Sequence, residues 1–337
     1  MGTTIAPTGR PTIYDVAERA GVSKSLVSLV LRGSPGVSEK RKAAVVAAIT
    51  ELGYRPSQAA TLLASTRTRS IEMLIDEYRN LSFVGLAQGI RDTLTGQNIY
   101  LTVTETQQHL GPSPAGPYSP ATQADGRILA AEPTAAVLAG WTSCPTVVAG
   151  HRQGVPADVD VIASDDQLGS RLACEHLVSL GHRNIGHLSG SGGGARHRRI
   201  GFLNFMQLSG LEVRIAGEQG GTTEEDGYRS AIEMLTRCPD TTAFVAANDV
   251  MALGAMAAIR EHGRSVPLDV SVIGYDNTPL AQSRYLSLTT IDDQSSSVGA
   301  AAAHALLNRL DDPQATPVYT LIPPDLVIRA TTAPVTG

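Results

Sequence analysis

The chain has 337 residues, of which 42% are hydrophobic and 18% are charged, and its net charge is −5 at pH 7. This length predicts two or three domains, and the composition is typical of globular proteins with a large core. No segment approaches about 18 uninterrupted apolar residues, and residues 1–11 lack the apolar run of a signal peptide, so we expect a cytoplasmic protein without a membrane span.

Charge and cysteines are distributed unevenly along the chain. Residues 1–64 carry a net charge of +4, from eight Lys or Arg and four Asp or Glu, which leaves −9 for the other 273 residues. A basic N-terminal module on an acidic body fits local contact with DNA phosphates, although chance surface variation also produces such a difference. The three cysteines, Cys144, Cys174 and Cys238, are widely spaced and odd in number, so we expect reduced thiols and neither a disulfide framework nor a metal cluster.

Two short helical patterns meet at a glycine turn near the start of the chain. Thr12 and Ser23 are good N-caps for them, and Asp15 follows Thr12 at capping-box spacing. The apolar faces that we expect to pack together are Val16, Ala17 and Ala20 with Val27, Val30 and Leu31. The free face of the second helix carries Lys24, Ser25, Ser28, Leu29 and Arg32. This pattern is typical of a helix-turn-helix that reads the DNA major groove, although similar three-helix modules exist that do not bind DNA.

A third helix is predicted from Ser38, as its cap, to about Leu52, with Gly53 at its end. Its expected inward residues are Val45, Val46, Ile49 and Leu52. Residues 57–64 are good helix formers but too few for a stable isolated helix in water. We expect a linker there, or a helix that forms only on contact. Leu62 and Leu63 are candidates either for an apolar wedge between DNA bases or for docking on the body.

From residue 70 onward, predicted strands alternate with predicted helices. The predicted strands are 71–75, 99–103, 135–139, 146–148, 159–162, 184–188, 243–246, 270–273 and 318–321. The predicted helices are 83–95, 168–180, 198–209, 226–235, 250–262 and 296–310, and residues 105–127 are predicted as a long irregular loop. This alternation favours two doubly wound units with parallel sheets and a ligand cleft at the carboxyl ends of the strands.

Several motifs resemble, in order, those of the lactose-repressor family of bacterial transcription regulators. In the N-terminal region they are Thr12-Ile13-Tyr14-Asp15-Val16-Ala17, Ala20-Gly21-Val22-Ser23, Val27-Ser28 and Glu51-Leu52-Gly53-Tyr54-Arg55-Pro56. In the body they include Leu180-Gly181-His182, Ala247-Asn248-Asp249, Val272-Ile273-Gly274-Tyr275-Asp276 and Leu288-Thr289-Thr290-Ile291. The resemblance covers the chain apart from residues 105–127.

The resemblance implies a small all-α helix-turn-helix headpiece followed by an α/β core of two doubly wound lobes, like the type I periplasmic sugar-binding proteins. The implied limits are 1–56 for the DNA-binding domain, 57–69 for a hinge helix and linker, and 70–337 for the core. Within the core, the N-lobe would comprise about 70–163 and 291–322, and the C-lobe about 164–290 and 323–337. The implied crossings lie near Ala163/Ser164, Thr290/Ile291 and Ile322/Pro323.

The same resemblance implies a transcription regulator rather than an enzyme, with no cofactor and no metal. A homodimer would bind double-stranded palindromic operator DNA, and a small sugar-like effector between the lobes would change operator affinity. Tetrameric members carry an extra C-terminal leucine heptad that residues 332–337 do not provide, which favours a dimer. Repression is favoured over activation.

The resemblance also assigns candidate DNA-binding residues. They are Thr12, Ser23, Lys24, Ser25, Ser28, Leu29, Arg32, Tyr54 and Leu63. Many members have arginine where this chain has Leu29, and a leucine can press on a thymine methyl but cannot form the bidentate contact to guanine. Thr61 stands where an arginine of the hinge is frequent, and Ala64 stands where some members have a basic residue. The operator preference of this chain should therefore differ from theirs.

Candidate effector-binding residues come from the same source. They are Phe83, Asp165, Arg198, Asn248 and Asp276. An aromatic ring suits stacking on a sugar or base face, and a guanidinium with a carboxylate can hold vicinal hydroxyls. Interlobe hydrogen bonds without a ligand are the alternative role. Two departures from the family are Thr222, where an aromatic lines some sugar pockets, and Asp293, where glutamine is common.

Two other classes of protein compete with this interpretation. Residues 190–195 follow a predicted strand and fit the pattern G-x-G-x-x-A, which is typical of dinucleotide-binding enzymes but is met easily by a glycine-rich loop. An exported ligand-binding protein would need a signal peptide and would not need the basic headpiece. The spacing of His182, His187 and His197 fits no compact metal-ligand set.

Overall fold

The chain folds into two units, Met1–Thr68 and Arg69–Gly337. The structure, a computed structural model, describes residues 11–31, 37–54, 69–76, 78, 80–106, 124–139 and 141–335. The predicted hinge segment 57–64 with Leu63, the DNA-binding candidate Arg32, and residues 107–123 of the predicted loop lie outside these described residues. Within the described ranges, no helix is both long and apolar enough to span a membrane.

Three helices build the first unit: α1 (Ile13–Ala20), α2 (Lys24–Leu31) and α3 (Glu39–Leu52). The predicted capping box is present, because the backbone N–H of Thr12 donates to Asp15 Oδ2 (2.6 Å) and that of Asp15 to Thr12 Oγ1 (3.4 Å). Ser23 Oγ accepts a backbone N–H of α2 at 3.3 Å, whereas Ser38 stands before α3 without a side-chain capping bond. Gly21, with φ of 63°, allows the sharp turn between α1 and α2.

The buried core of this unit consists of Val16, Ala17, Val27, Val45 and Ala48. Two predicted inward positions are wrong, since Leu31 is 39% exposed and Val46 is 51% exposed. The packed face of α3 follows the helical spacing from Val45 through Ala48 to Leu52, and a residue next to Val45 lies about 100° away from that face. On α2, Leu26 packs beside Val27 and Val30 in place of Leu31.

The second unit alternates strands and helices. In chain order they are β1 (Arg69–Ile75), α4 (Ser82–Leu94), β2 (Ile99–Glu105), β3 (Gly126–Ala130), α5 (Ala135–Ala139), β4 (Thr146–Ala149), β5 (Asp160–Ser164), α6 (Asp166–Ser179), β6 (Ile185–Leu188), α7 (Gly193–Leu208), β7 (Arg214–Ala216), α8 (Glu224–Arg237), β8 (Ala243–Ala246), α9 (Asp249–Glu261), β9 (Ser271–Tyr275), β10 (Thr289–Asp292), α10 (Ser295–Asp311), β11 (Tyr319–Ile322) and β12 (Asp325–Val327). Most boundaries lie within a few residues of the predicted ones.

These strands form two six-stranded sheets, β11-β5-β4-β3-β1-β2 in the N-lobe and β12-β10-β9-β8-β6-β7 in the C-lobe. Every neighbouring pair is parallel except β10 and β12. Apolar clusters join α4 and α10 to the first sheet, α8 and α9 to one side of the second, and α6 and α7 to its other side. The core therefore has the expected architecture of two doubly wound lobes.

The chain crosses between the lobes three times: between Ser164 and Asp166, between Asp292 and Ser295, and between Ile322 and Asp325. Because the strands within each lobe are parallel, their carboxyl ends lie at one edge of each sheet. The segments that leave these edges carry the polar side chains described below.

Three short strands, β7, β10 and β12, lie where no strand was predicted, and two further segments have a different structure from the predicted one. Ala135–Ala139 is a helix and not a strand: its residues are good helix formers, and Thr134 Oγ1 accepts the N–H of Val137 at its start (3.1 Å). Gly126–Ala130 is a buried strand where the sequence predicts a loop. This strand begins with Gly126 and Arg127 and therefore lacks an apolar alternation. Distant contacts explain both residues: a Cβ at Gly126 would lie 3.0 Å from the Leu306 side chain, and Arg127 pairs with Glu72 on the adjacent strand (3.5 Å).

Candidate functional site

A cavity of about 520 Å³ separates the two lobes at the carboxyl ends of their strands. The N-lobe contributes the segments after β1, β3 and β4 and the start of α4, and the C-lobe contributes the starts of α6 and α7 and the segments after β8 and β9. A volume of this size matches ligand pockets for small molecules. We call this cavity the cleft.

Arg198 on α7 forms the centre of the polar floor of the cleft. Its Nε donates to Asp166 Oδ1 (2.8 Å), its Nη1 donates to the carbonyl oxygen of Ala247 (2.6 Å), and Nη1 also lies 3.0 Å from Asp276 Oδ1. The guanidinium stacks over the ring of Tyr275, with Cζ 3.7 Å from the ring centroid. Burial would lower the pKa of Arg198, but Asp276 and Asp166 hold it above its usual value, so the guanidinium stays charged.

Asp276 follows β9 with a backbone φ of 94°, a conformation that L-residues rarely adopt. Such strain is found where a side chain must be held in one direction, and here the backbone N–H of Asp276 is anchored on the carbonyl oxygen of Ile291 (2.8 Å). Burial raises the pKa of Asp276 well above the usual range, and neighbouring Asp293 and Asp249 also raise it, while Arg198 lowers it only in part. Burial likewise raises the pKa of Asp293 to about 6.

A second polar group joins the lobes beside Arg198. His151, which follows β4, bonds Asp166 Oδ2 through Nδ1 (2.8 Å) and the hydroxyl of Tyr319 through Nε2 (3.0 Å). The imidazole also stacks on the ring of His197, with centroids 3.8 Å apart. Burial would raise the pKa of Asp166, but Arg198 and His151 together hold it below its usual value. Asp166 is therefore an ionised carboxylate held from both lobes.

The glycine-rich segment 190–195 starts α7 and lines the cleft. The backbone N–H of Gly193 donates to Glu132 Oε1 from the N-lobe (2.6 Å), which puts a carboxylate at the helix start where a dinucleotide phosphate would have to bind. A Cβ at Gly193 would lie 2.3 Å from the carbonyl oxygen of His151. The close approach of the two lobes therefore explains why position 193 is a glycine, and a bound dinucleotide is not needed to explain it.

The structure brings four of the five predicted effector residues to the cleft: Phe83, Arg198, Asn248 and Asp276. The carboxylate of Asp165, the fifth, instead caps α6 by accepting the N–H of Leu168 (3.0 Å). Its neighbour Asp166 faces the cleft in its place. Asn248 caps α9 and donates to the carbonyl oxygen of Thr222 (3.0 Å), so its amide already has two partners.

Three further residues of the cleft were not among those candidates: Glu132, His151 and Asp166. All three follow strands closely, which is a usable signal in a parallel sheet, but neither Glu132 nor His151 lies in a motif of the sequence. Their roles depend on contacts with residues of the other lobe.

On the headpiece, Lys24, Ser25 and Leu29 are exposed on one side of α2, and Ser28 is half-buried. Lys24 Nζ donates to the hydroxyl of Tyr14 (3.1 Å), and this exposed tyrosine was not among the predicted DNA-binding residues. The hydroxyls of Thr12 and Ser23 serve the helix caps, and Tyr54 packs on the headpiece core.

Each of the two units contains a region that matches a known protein family. Residues 12–57 match the family described as bacterial regulatory proteins, lacI family, and residues 174–332 match the periplasmic binding protein-like domain. The transcriptional repressor PurR of Serratia proteamaculans is 34% identical over 309 residues, which is 89% of this chain and 90% of PurR. The CelR–cellobiose complex matches with a TM-score of 0.68 and 26% identity, covering 96% of this chain and 100% of CelR. The lac repressor dimer bound to operator and the anti-inducer ONPF matches with a TM-score of 0.77 and 29% identity, covering 96% of this chain and 100% of that one.

Proposed function

Because this chain belongs to the lacI family of bacterial regulatory proteins, we propose that it represses transcription as a homodimer on a palindromic operator, under control of a small effector in the cleft. The observation that carries the effector proposal is the grouping of Arg198, Asp166 and Asp276 on the floor of a cavity of about 520 Å³. Such a group can hold hydroxyls or amines in fixed geometry. We propose a sugar or related metabolite as the effector.

For the headpiece, we propose that Lys24, Ser25, Ser28 and Leu29 face the bases of the major groove. The exposed side of α2 supports this assignment. The remaining proposed DNA-binding residues are Thr12, Ser23, Arg32, Tyr54 and Leu63, with Leu63 acting as a wedge in the minor groove.

We propose that the regulatory signal is a change in how the lobes meet. Contacts between the lobes include His151 with Asp166 and Glu132 with Gly193, and a ligand on the same residues would bias the equilibrium between closed and open lobes. The domain limits that we propose are 1–56, 57–69 and 70–337. A cytoplasmic location and the absence of enzymatic activity complete the proposal.

The test is selection of bound operators from random double-stranded DNA with the full chain, followed by a screen of sugars and nucleobases for changes in binding of the selected DNA. We expect a palindrome whose half-sites are about one helical turn apart, or a multiple of it. Enrichment of no palindrome would refute the DNA-binding proposal. An operator whose binding no compound changes would count against the effector proposal alone.

A further inference from the structure

Among the described residues, the floor of the cleft has more carboxylates than guanidinium groups. The carboxylates of Asp166, Asp276 and Asp293 line it beside the guanidinium of Arg198. Arg198 lies within ion-pair distance of Asp166 and Asp276. Arg152, the other arginine of the described lining, donates to the carbonyl oxygens of Ala130 and His151.

We infer that the effector is a small hydroxylated molecule with a protonated amine, and that the amine binds between Asp276 and Asp293. This inference rests on the proposed effector role of the cleft and adds the charge of the ligand. Asp166 already has Arg198 and His151 as partners, whereas Asp276 shares Arg198 with it. Among the described residues, Asp293 has no Lys or Arg within ion-pair distance, and it accepts only from the backbone and hydroxyl of Ser295.

Two buried polar atoms of the cleft lining have no hydrogen-bond partner among the described residues. Asp276 Oδ1 lies near Arg198 but accepts no hydrogen bond, although the side chain is only 6% exposed. Ser164 Oγ at the end of β5 also has no partner and is buried. Buried polar groups are nearly always satisfied, so the carboxylate oxygen of Asp276 can take a donor from a ligand, and the hydroxyl of Ser164 can either donate to a ligand or accept from it. An ammonium group has three donors and no acceptor, which suits a site made of carboxylate oxygens.

The pKa shifts of Asp276 and Asp293 also favour a ligand that carries positive charge. Burial, followed by the effects of the neighbouring carboxylates, raises the pKa of Asp276, and burial raises the pKa of Asp293 to about 6. Burial and the neighbouring carboxylates thus disfavour two ionised carboxylates here, and a ligand cation would relieve that repulsion. Within the described part of the chain, no group of three or more His, Cys, Asp and Glu is arranged to hold a metal ion.

The experiment uses the full chain and pairs of probes that differ mainly in an amine. The pairs are D-glucosamine with D-glucose, D-galactosamine with D-galactose, and D-mannosamine with D-mannose. Thermal denaturation at about pH 7 identifies pairs that stabilise the protein, and calorimetry then gives Kd for both members. We expect the amine of at least one pair to bind about tenfold or more tightly than its neutral partner.

Asp293→Asn provides the second arm, with Asp92→Asn, an exposed carboxylate on α4, as the matched control. We expect Asp293→Asn to abolish the preference for the amine, so that the two members of a pair bind with similar Kd, while Asp92→Asn keeps the preference of the wild type. A neutral member that binds as tightly as its amine would overturn the inference but leave the proposed effector function intact. Binding of no amine in the panel would also overturn it, and operator selection would still report separately on the regulator.

Discussion

His151 of the N-lobe and Asp166 of the C-lobe meet in a 2.8 Å hydrogen bond between Nδ1 and Oδ2. The same carboxylate accepts from Arg198 Nε, so Asp166 joins a contact between the lobes to the Arg198 group. Its side chain is only 5% exposed. A ligand that displaces either partner would therefore alter both the cleft floor and the contact between the lobes.

Asp166→Asn should destabilise the core, because it leaves the buried Arg198 without one of its two carboxylates. Loss of one member of a buried pair typically reduces the free energy of unfolding by about 3 kcal/mol. Glu175→Gln on the same helix is the matched control, since Glu175 pairs with Arg171 at the surface and should lose less than about 1 kcal/mol. Urea unfolding of the core measures both. If both variants lose the same free energy of unfolding, the buried ion pairs of Asp166 stabilise the protein no more than a surface pair does.

The position of Asp166 shows where sequence prediction succeeds and where it fails. The turn from β5 into α6 places two adjacent aspartates at the cleft edge, and the sequence predicts the turn. It does not say which carboxylate faces the cleft. Asp165 occupies the N-cap, where a side chain turns back onto its own helix, so Asp166 in the first turn is the one left to face Arg198.

Elsewhere in the fold, too, the elements that depend on local sequence were predicted, and the features that depend on distant contacts were missed. Amphipathic helices such as α8 and strongly apolar strands such as β8 were predicted because their periodicity is local. Strand β3 was missed, since Gly126 and Arg127 are explained only by Leu306 and Glu72 far away in the chain. The contacts of Glu132 and His151 across the cleft are equally non-local.

Asp293→Asn should change how stability depends on pH. Burial raises the pKa of Asp293 from 3.8 to about 6, so the folded state favours the protonated form. The stability that this provides is complete below the unfolded pKa and is lost as the pH rises through about 6. The variant has no such loss and should exceed the wild type by up to roughly 3 kcal/mol at about pH 7.5, with little difference near pH 4.

The measurement is urea unfolding of the core at both pH values. Asp92→Asn, whose carboxylate is exposed and accepts from Gln88, serves as the control and should show the wild-type dependence. If the free energy of unfolding of Asp293→Asn exceeds that of the wild type by the same amount at both pH values, the carboxylate of Asp293 is not protonated in the folded state near pH 4.

Gly193→Ala should destabilise the contact between the lobes. The added Cβ would lie 2.3 Å from the carbonyl oxygen of His151, a backbone atom that cannot move without the N-lobe. We expect a loss of about 1 to 3 kcal/mol, typical of overpacking, together with a larger radius of gyration in solution scattering as the lobes separate. Gly194→Ala is the control, because its Cβ would meet nothing closer than 3.8 Å and alanine favours the helix. An unchanged radius for Gly193→Ala would mean that the lobes adjust without opening.

Leu29→Arg should change which operator the headpiece prefers. Leu29 is 38% exposed on the side of α2 that also carries Lys24 and Ser25, and a leucine there offers only apolar contact with a thymine methyl. An arginine can bond both O6 and N7 of guanine, so operators selected by the variant should gain guanine at one symmetric position of each half-site. The expected discrimination is about 1 to 3 kcal/mol at that position. Lys42→Ala on α3 is the control, since this lysine pairs with Glu39 on the solvent side and should leave the selected sequence unchanged. Selection of the same operator by the Leu29→Arg variant and the wild type would show that position 29 does not face the bases.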